Sequence, residues 1–159
     1  MNATRLAVPA LRIVLVVAFL LLLVFQALSL PGQFAHMAQE NPDEASLQWP
    51  LTIFAVLEIA CVQVVIVSTW KLLTLVRHDR IFTAAAMVWV NAIVWAIAAA
   101  WLMLAVVSAA VVLNADDPGL PMLLILMLVA GAAVGLVVVV LRALLRQATE
   151  LRSDMEAVI

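Results

Sequence analysis

Apolar positions run through this chain in four long blocks, and the few polar residues inside them are what remains to be explained. Leu11 to Leu30 is interrupted only by Arg12, Gln26 and Ser29. Leu51 to Trp70 is broken only by Thr52, Glu58, Gln63, Ser68 and Thr69. A third block lies within Ala84 to Leu113, and a fourth runs from Leu120 to Leu141. At ~1.5 Å rise per residue each block is about as long as the ~30 Å hydrocarbon core of a bilayer is thick. A bilayer offers no partners to unpaired backbone groups, so each block is expected to be a helix. The expected spans are about 11–30, 51–70, 87–111 and 121–141. The first is too long for the ~7–15-residue apolar core of a secretory signal, although Arg5 precedes it and Ala27 and Ser29 would suit a cleavage site.

Composition agrees with this reading. Of 159 residues 68% are hydrophobic and only 11% charged, and the mean hydropathy is +1.24. Such a chain has too little polar surface for a soluble domain. The fold class that follows is all-α: an integral membrane four-helix bundle forming a single transmembrane domain over 1–159. The formal net charge is -2, which gives no reason to expect direct nucleic-acid binding. Cys61 is the single cysteine, so neither an intrachain disulfide nor a cysteine-based zinc site is available.

The distribution of charge sets the orientation. All eight basic residues fall on one side of the expected membrane: Arg5 and Arg12 at the first span, Lys71, Arg77 and Arg80 between the second and third, and Arg142, Arg146 and Arg152 after the fourth. The other side carries Glu40, Asp43 and Glu44 in an outer loop over 31–50, and Asp116 and Asp117 in a short connection. The positive-inside rule then places both termini in the cytoplasm, with a basic turn at 71–83 and a tail at 142–159 on that side. The expected location is the bacterial plasma (inner) membrane.

The turn reads KLLTLVRHDRIFTAAA and the tail LRALLRQATELRSDMEAVI. In the turn, a leucine pair follows a lysine, a basic residue precedes a short polar stretch, and Ile81-Phe82 leads into the next span. In the tail, Ala148, Glu150, Leu151, Asp154 and Ile159 mark a helix with an acidic end. These segments resemble a bacterial four-helix membrane protein family catalogued as a domain of unknown function, number twenty-nine seventy-five. The tail departs from the family's pattern at Met155, Ala157 and Val158, where more polar residues are usual. Members of that family are often encoded beside small helix-turn-helix regulators of the Cro type, and the resemblance implies a similar partner here.

Among the intramembrane polar residues, Glu58 stands out because a carboxylate near the middle of a span is costly unless neutralised or paired. Cys61, Val65 and Ser68 share its helical face, while Thr52, Gln63 and Trp70 lie on a second one. Depth counting from the cytoplasmic side predicts pairings of Glu58 with Gln26 and of Gln63 with Asn91. Glu58 is either a proton or cation site in a water-filled cavity, or a protonated group bonded to Gln26 or a backbone carbonyl; the second is the blander reading. In the fourth span, Gly131 and Gly135 make a small-residue face that suits close packing within the bundle or a homodimer contact. Trp49 and Trp70 suit interface anchoring, and Trp89, Trp95 and Trp101 packing or lipid contact.

Little else points to chemistry. No histidine lies within a span, which removes paired-histidine haem ligation. His36 and Glu40, four apart, would need Asp43 or Glu44 to hold a metal, so no metal site and no cofactor are expected. No nucleophile with its base, phosphate loop or two-histidine helix motif is present, and an enzyme is the least supported class. Leu141, Leu144, Leu145, Ala148, Leu151 and Met155 recur at helical spacing opposite Arg142, Arg146, Gln147, Glu150 and Asp154. The last helix should therefore extend into the cytoplasm with an apolar stripe covered by the end of the second span, by lipid headgroups or by another protein. Lys71, Arg77, Arg80, Arg142, Arg146, Leu145, Leu151 and Met155 are the expected lipid or partner contacts. The leading expectation is a non-enzymatic sensor or anchor working with a cytoplasmic helix-turn-helix regulator. The alternatives are a small transporter or proton-coupled channel using Glu58, and an accessory subunit packing in a larger membrane complex; a homo-oligomer is a further possible assembly.

Overall fold

The computed structural model describes residues 2–158, leaving aside the side chains at positions 2, 4, 44, 45, 47 and 48. Every element among them is helical: α1 (Asn2–Val24), a π turn (Phe25–Ser29), α2 (Leu30–Glu40), a 3-10 segment (Pro42–Leu47), α3 (Gln48–Arg77), α4 (Ala84–Asn114) and α5 (Gly119–Val158). Four stretches are long and apolar enough to cross a membrane: Arg5–Glu40, Trp49–Arg77, Ala84–Asn114 and Gly119–Val158. The chain is an all-α, multi-pass membrane protein. Large apolar side chains lie exposed along all of these helices, and the buried apolar residues among those described are Leu30, Ala86, Val90 and Ala96. A surface of that kind suits hydrocarbon as its solvent.

The first helical stretch does not stop at Leu30 but continues to Glu40 through the π turn, where the Leu30 amide donates to the Phe25 carbonyl. Pro31 supplies the reason. It has no amide to offer the Ala27 carbonyl and its ring crowds that turn, so a locally widened helix lets the chain pass the proline without breaking. Asn41 then leaves helical geometry (φ -125°, ψ 85°) before Pro42, as a residue preceding proline prefers.

The turn after α3 is built by a residue type usually reserved for glycine. Asp79 has a positive φ of 55°. Its amide donates to the Val76 carbonyl at 3.2 Å, and the Arg80 amide donates to the Leu75 carbonyl at 2.8 Å. This is the Schellman pattern, which satisfies carbonyls that a helix end leaves open, and aspartate tolerates the left-handed position better than most residues. Thr83 then starts α4 in an extended conformation (φ -125°, ψ 162°). Its carbonyl accepts from the Ala86 amide at 3.1 Å. At the other end, the Gly119 amide donates to Asp117 Oδ1 at 3.2 Å and the Met122 amide to the Pro118 carbonyl at 3.1 Å, closing the short link into α5.

Two compact units divide the chain inside α3: Met1–Ile66 and Val67–Ile159. In the second unit α4 and α5 pack closely, and glycine permits the approach. A Cβ at Gly131 would lie 3.2 Å from Trp101 Cδ1, and one at Gly135 would lie 3.5 Å from Ile97 Cγ2. Trp101 cannot easily retreat, because its indole Nε1–H donates to the Leu128 carbonyl at 2.9 Å. Gly131 and Gly135 therefore face α4.

Candidate functional site

The second unit gathers its basic residues at one end, with Asp116 and Asp117 in the link at the other. α3 ends in Arg77, and its last turns carry Lys71, whose ammonium lies 5.9 Å from the centre of the Trp89 ring on α4. A cation over an indole face is attracted by the ring quadrupole, more strongly where water is thin. Two residues further along α4, Asn91 Oδ1 accepts from Arg142 Nε at 2.5 Å. Arg142 is half-buried, and this charge-assisted bond satisfies part of a guanidinium at the edge of the apolar run.

Beyond Arg142, α5 continues unbroken to Val158. Arg152 turns back to the α3–α4 link: its Nη1 donates to the Asp79 carbonyl at 3.4 Å, and its guanidinium lies 5.8 Å from the centre of the Phe82 ring. The αL conformation of Asp79 ends the helix at this point, and Arg152 reaches the carbonyl just beyond that end. The turn and the tail, separate in sequence, thus form one ledge. Arg146 pairs with Glu150 at 3.4 Å and Arg152 with Glu156 at 3.5 Å, both exposed. Such i,i+4 pairs add a few tenths of a kcal/mol each. Arg77, Arg80, Arg146, Leu151 and Met155 are exposed on this ledge, and Leu145 is half-buried.

In the first unit, Gln26 reaches α3, but its Nε2 donates to the Val56 carbonyl at 3.0 Å and not to Glu58. The π turn holding Gln26 re-aims its side chain relative to an ideal helix, which depth counting could not register. Glu58 Oε2 and Gln63 Nε2 are buried and make no hydrogen bond. Asn91, the partner expected for Gln63, uses its oxygen on Arg142, a charge-assisted bond. Cys61 is half-buried one turn from Glu58.

Other expectations find simple places. His36 Nε2 and Glu40 Oε1 are 3.3 Å apart and exposed, and no cluster of three metal-binding side chains occurs among the described residues. The side chain of Glu44, another suggested ligand, lies outside what the structure describes, as does the terminal Ile159. Alongside the α4–α5 contact runs an apolar groove of about 420 Å³, lined by Ile97, Ala98, Trp101, Gly131, Gly135 and Leu136 among others. Sequence reasoning missed four contributors to these arrangements: Trp101 as a donor, Trp89 as a cation's seat, and Asp79 and Phe82 as the tail's footing. For Asp79 there was a readable signal, since a helix ending without glycine requires another residue that accepts positive φ. For the other three the signal lies in contacts across helices.

No curated protein and no solved structure matches the chain. A family model described as a protein of unknown function, DUF2975, matches residues 32–159. That range contains α3, α4, α5 and most of α2, including both segments on which the resemblance was read, and the chain belongs to the DUF2975 family.

Proposed function

We propose that this protein is a non-enzymatic sensor or anchor of the bacterial inner membrane, with both termini in the cytoplasm, whose cytoplasmic ledge holds or releases a helix-turn-helix regulator. The observation that carries the reading is the joint made by Arg152 with the Asp79 carbonyl and the Phe82 ring. It converts a turn and a tail into a single surface, with Arg77, Arg80 and Arg146 exposed around it. The placement of all eight basic residues at one end of the spans supports the cytoplasmic assignment. The regulator is a folded protein partner, so no direct contact between this chain and nucleic acid is involved. Anionic lipid headgroups are the other neighbours of Lys71 and Arg77, which sit where α3 leaves the apolar run. The test is gentle purification of the tagged protein from its own membranes, with and without residues 142–159, and identification of what accompanies it. A helix-turn-helix regulator retained only by the intact chain supports the reading. A protein that emerges alone in both cases overturns it.

A second reading rests on a different observation. Glu58 Oε2 is buried in a span without a hydrogen bond, as in a proton- or cation-handling site of a small transporter. Labelling of Cys61 by a water-soluble thiol reagent in intact membranes would favour an aqueous path beside Glu58. Complete protection would argue against one.

A further inference from the structure

The tail of α5 carries an apolar stripe that, apart from the half-buried Ala148, the chain leaves exposed. Leu144, Ala148, Leu151, Met155 and Val158 follow one another at alternating steps of four and three, the a and d positions of a heptad. Leu144 is 55% exposed, Leu151 64%, Met155 68% and Val158 88%. The same register runs back through positions 120, 123, 127, 130, 134, 137 and 141, all apolar and all exposed. It is a different face from the one holding Gly131 and Gly135, which α4 occupies.

Within the membrane, lipid covers such a stripe without difficulty. Past Arg142 it cannot, because α5 is a single unbroken helix of 40 residues. At ~1.5 Å per residue its last sixteen or so residues stand ~24 Å clear of the apolar run. There Gln147 and Asp154 flank the seam, and Arg146, Glu150 and Ser153 lie on the outer face. A repeat of 3.5 rather than 3.6 residues keeps its face toward a second helix that supercoils with it, not toward a flat headgroup layer.

We infer that α5 pairs with α5 of a second copy of this chain in a parallel coiled coil that begins in the membrane and continues into the tail. Charge permits the pairing. Over 142–158 three arginines (Arg142, Arg146, Arg152) balance three acids (Glu150, Asp154, Glu156), so two tails side by side carry no net repulsion. Copies inserted in the same orientation are necessarily parallel, as the a/d seam requires. A seam ~60 Å long and ~10 Å wide covers ~600 Å² on each copy, and ~1,200 Å² in total exceeds the ~1,000 Å² that marks a specific interface. This goes beyond the anchor reading and narrows it. Leu151 and Met155 belong to the seam, and the regulator's footprint is left with the Arg77, Arg80 and Phe82 side of the ledge.

Single cysteines in a Cys61→Ala background, oxidised in native membranes, test the seam. Leu144→Cys, Leu151→Cys and Met155→Cys should form disulfide dimers at least tenfold faster than Glu150→Cys and Ser153→Cys on the outer face. Adding Leu151→Asp should abolish the dimer formed through position 155, while circular dichroism shows the helix content retained. Equal rates at all five positions, no dimer at 144, 151 and 155, or a photo-cross-linker at 151 that captures a different protein would each overturn the proposal. The disulfide readouts do not involve the regulator, and a regulator captured at 151 would overturn the seam while supporting the anchor reading, so the two proposals fail separately.

Discussion

The two units treat polar atoms in apolar surroundings differently. In the second, Arg142 donates to Asn91 and Trp101 donates to the Leu128 carbonyl, so that helices α4 and α5 are joined by bonds as well as by the space Gly131 opens. In the first, Gln26 bonds the Val56 carbonyl, while Glu58 Oε2 and Gln63 Nε2 remain buried with nothing to bond. Among the described residues the second unit has one such atom of its own, Ser108 Oγ, a hydroxyl. An unsatisfied polar group in hydrocarbon costs on the order of several kcal/mol, and a carboxyl more than a hydroxyl. The hairpin of α4 and α5 thus has the marks of a structural element. The seam on α3 keeps polar groups at a cost in stability.

Substitutions can sharpen or break that contrast. The largest effect is expected at Gly131. Gly131→Leu must displace a Trp101 ring already held by its hydrogen bond, and thermal unfolding in detergent should show a loss of about 3 kcal/mol; Gly135→Leu, facing the end of Ile97, should cost less. A tolerated Gly131→Leu would mean that α4 and α5 are not locked there. Next comes Asn91→Leu, which leaves the Arg142 guanidinium without its acceptor and should cost about 1–2 kcal/mol. A double-mutant cycle with Arg142→Ala should return most of that loss as coupling between the two residues.

Glu58 should respond in the opposite direction. Glu58→Leu removes a half-buried carboxyl whose Oε2 is buried without a hydrogen bond and is expected to stabilise by about 1 kcal/mol in the same unfolding assay, while Glu58→Gln should leave folding unchanged. If Glu58→Gln misfolds, the carboxyl has a structural partner and the contrast between the units disappears. Smallest of all is Arg152→Ala. It removes a long hydrogen bond and a cation–π contact at an exposed site, with an expected loss of about 0.5 kcal/mol. Amide exchange should nonetheless quicken in residues 78–83, because the turn loses its footing on α5. Unchanged exchange there would separate the turn from the tail.

Much of this was legible from residue order. Uninterrupted apolar runs as long as a bilayer is thick have no alternative to the helix, since hydrocarbon leaves backbone groups no other partner. The family, too, could be read from the turn and the tail, because those short segments keep their local chemistry whatever surrounds them. Pro31 and Asn41-Pro42 predict trouble for a helix, yet whether the chain breaks or passes through a π turn depends on local geometry that composition does not contain. Depth counting placed Gln26 near Glu58 but misassigned its bond, because the π turn re-aims a side chain within a fixed depth. Which of the many apolar faces of α5 meets α4 was decided by Gly131 opposite Trp101, a match of a missing side chain to a large one across two helices. The same holds for Arg152, whose partners at 79 and 82 are about seventy residues away in the chain and come within reach only when α4 and α5 lie side by side. Periodicity along one helix gives the faces available to it, and only packing selects among them, because in an apolar solvent every face is equally at home until another helix fits it.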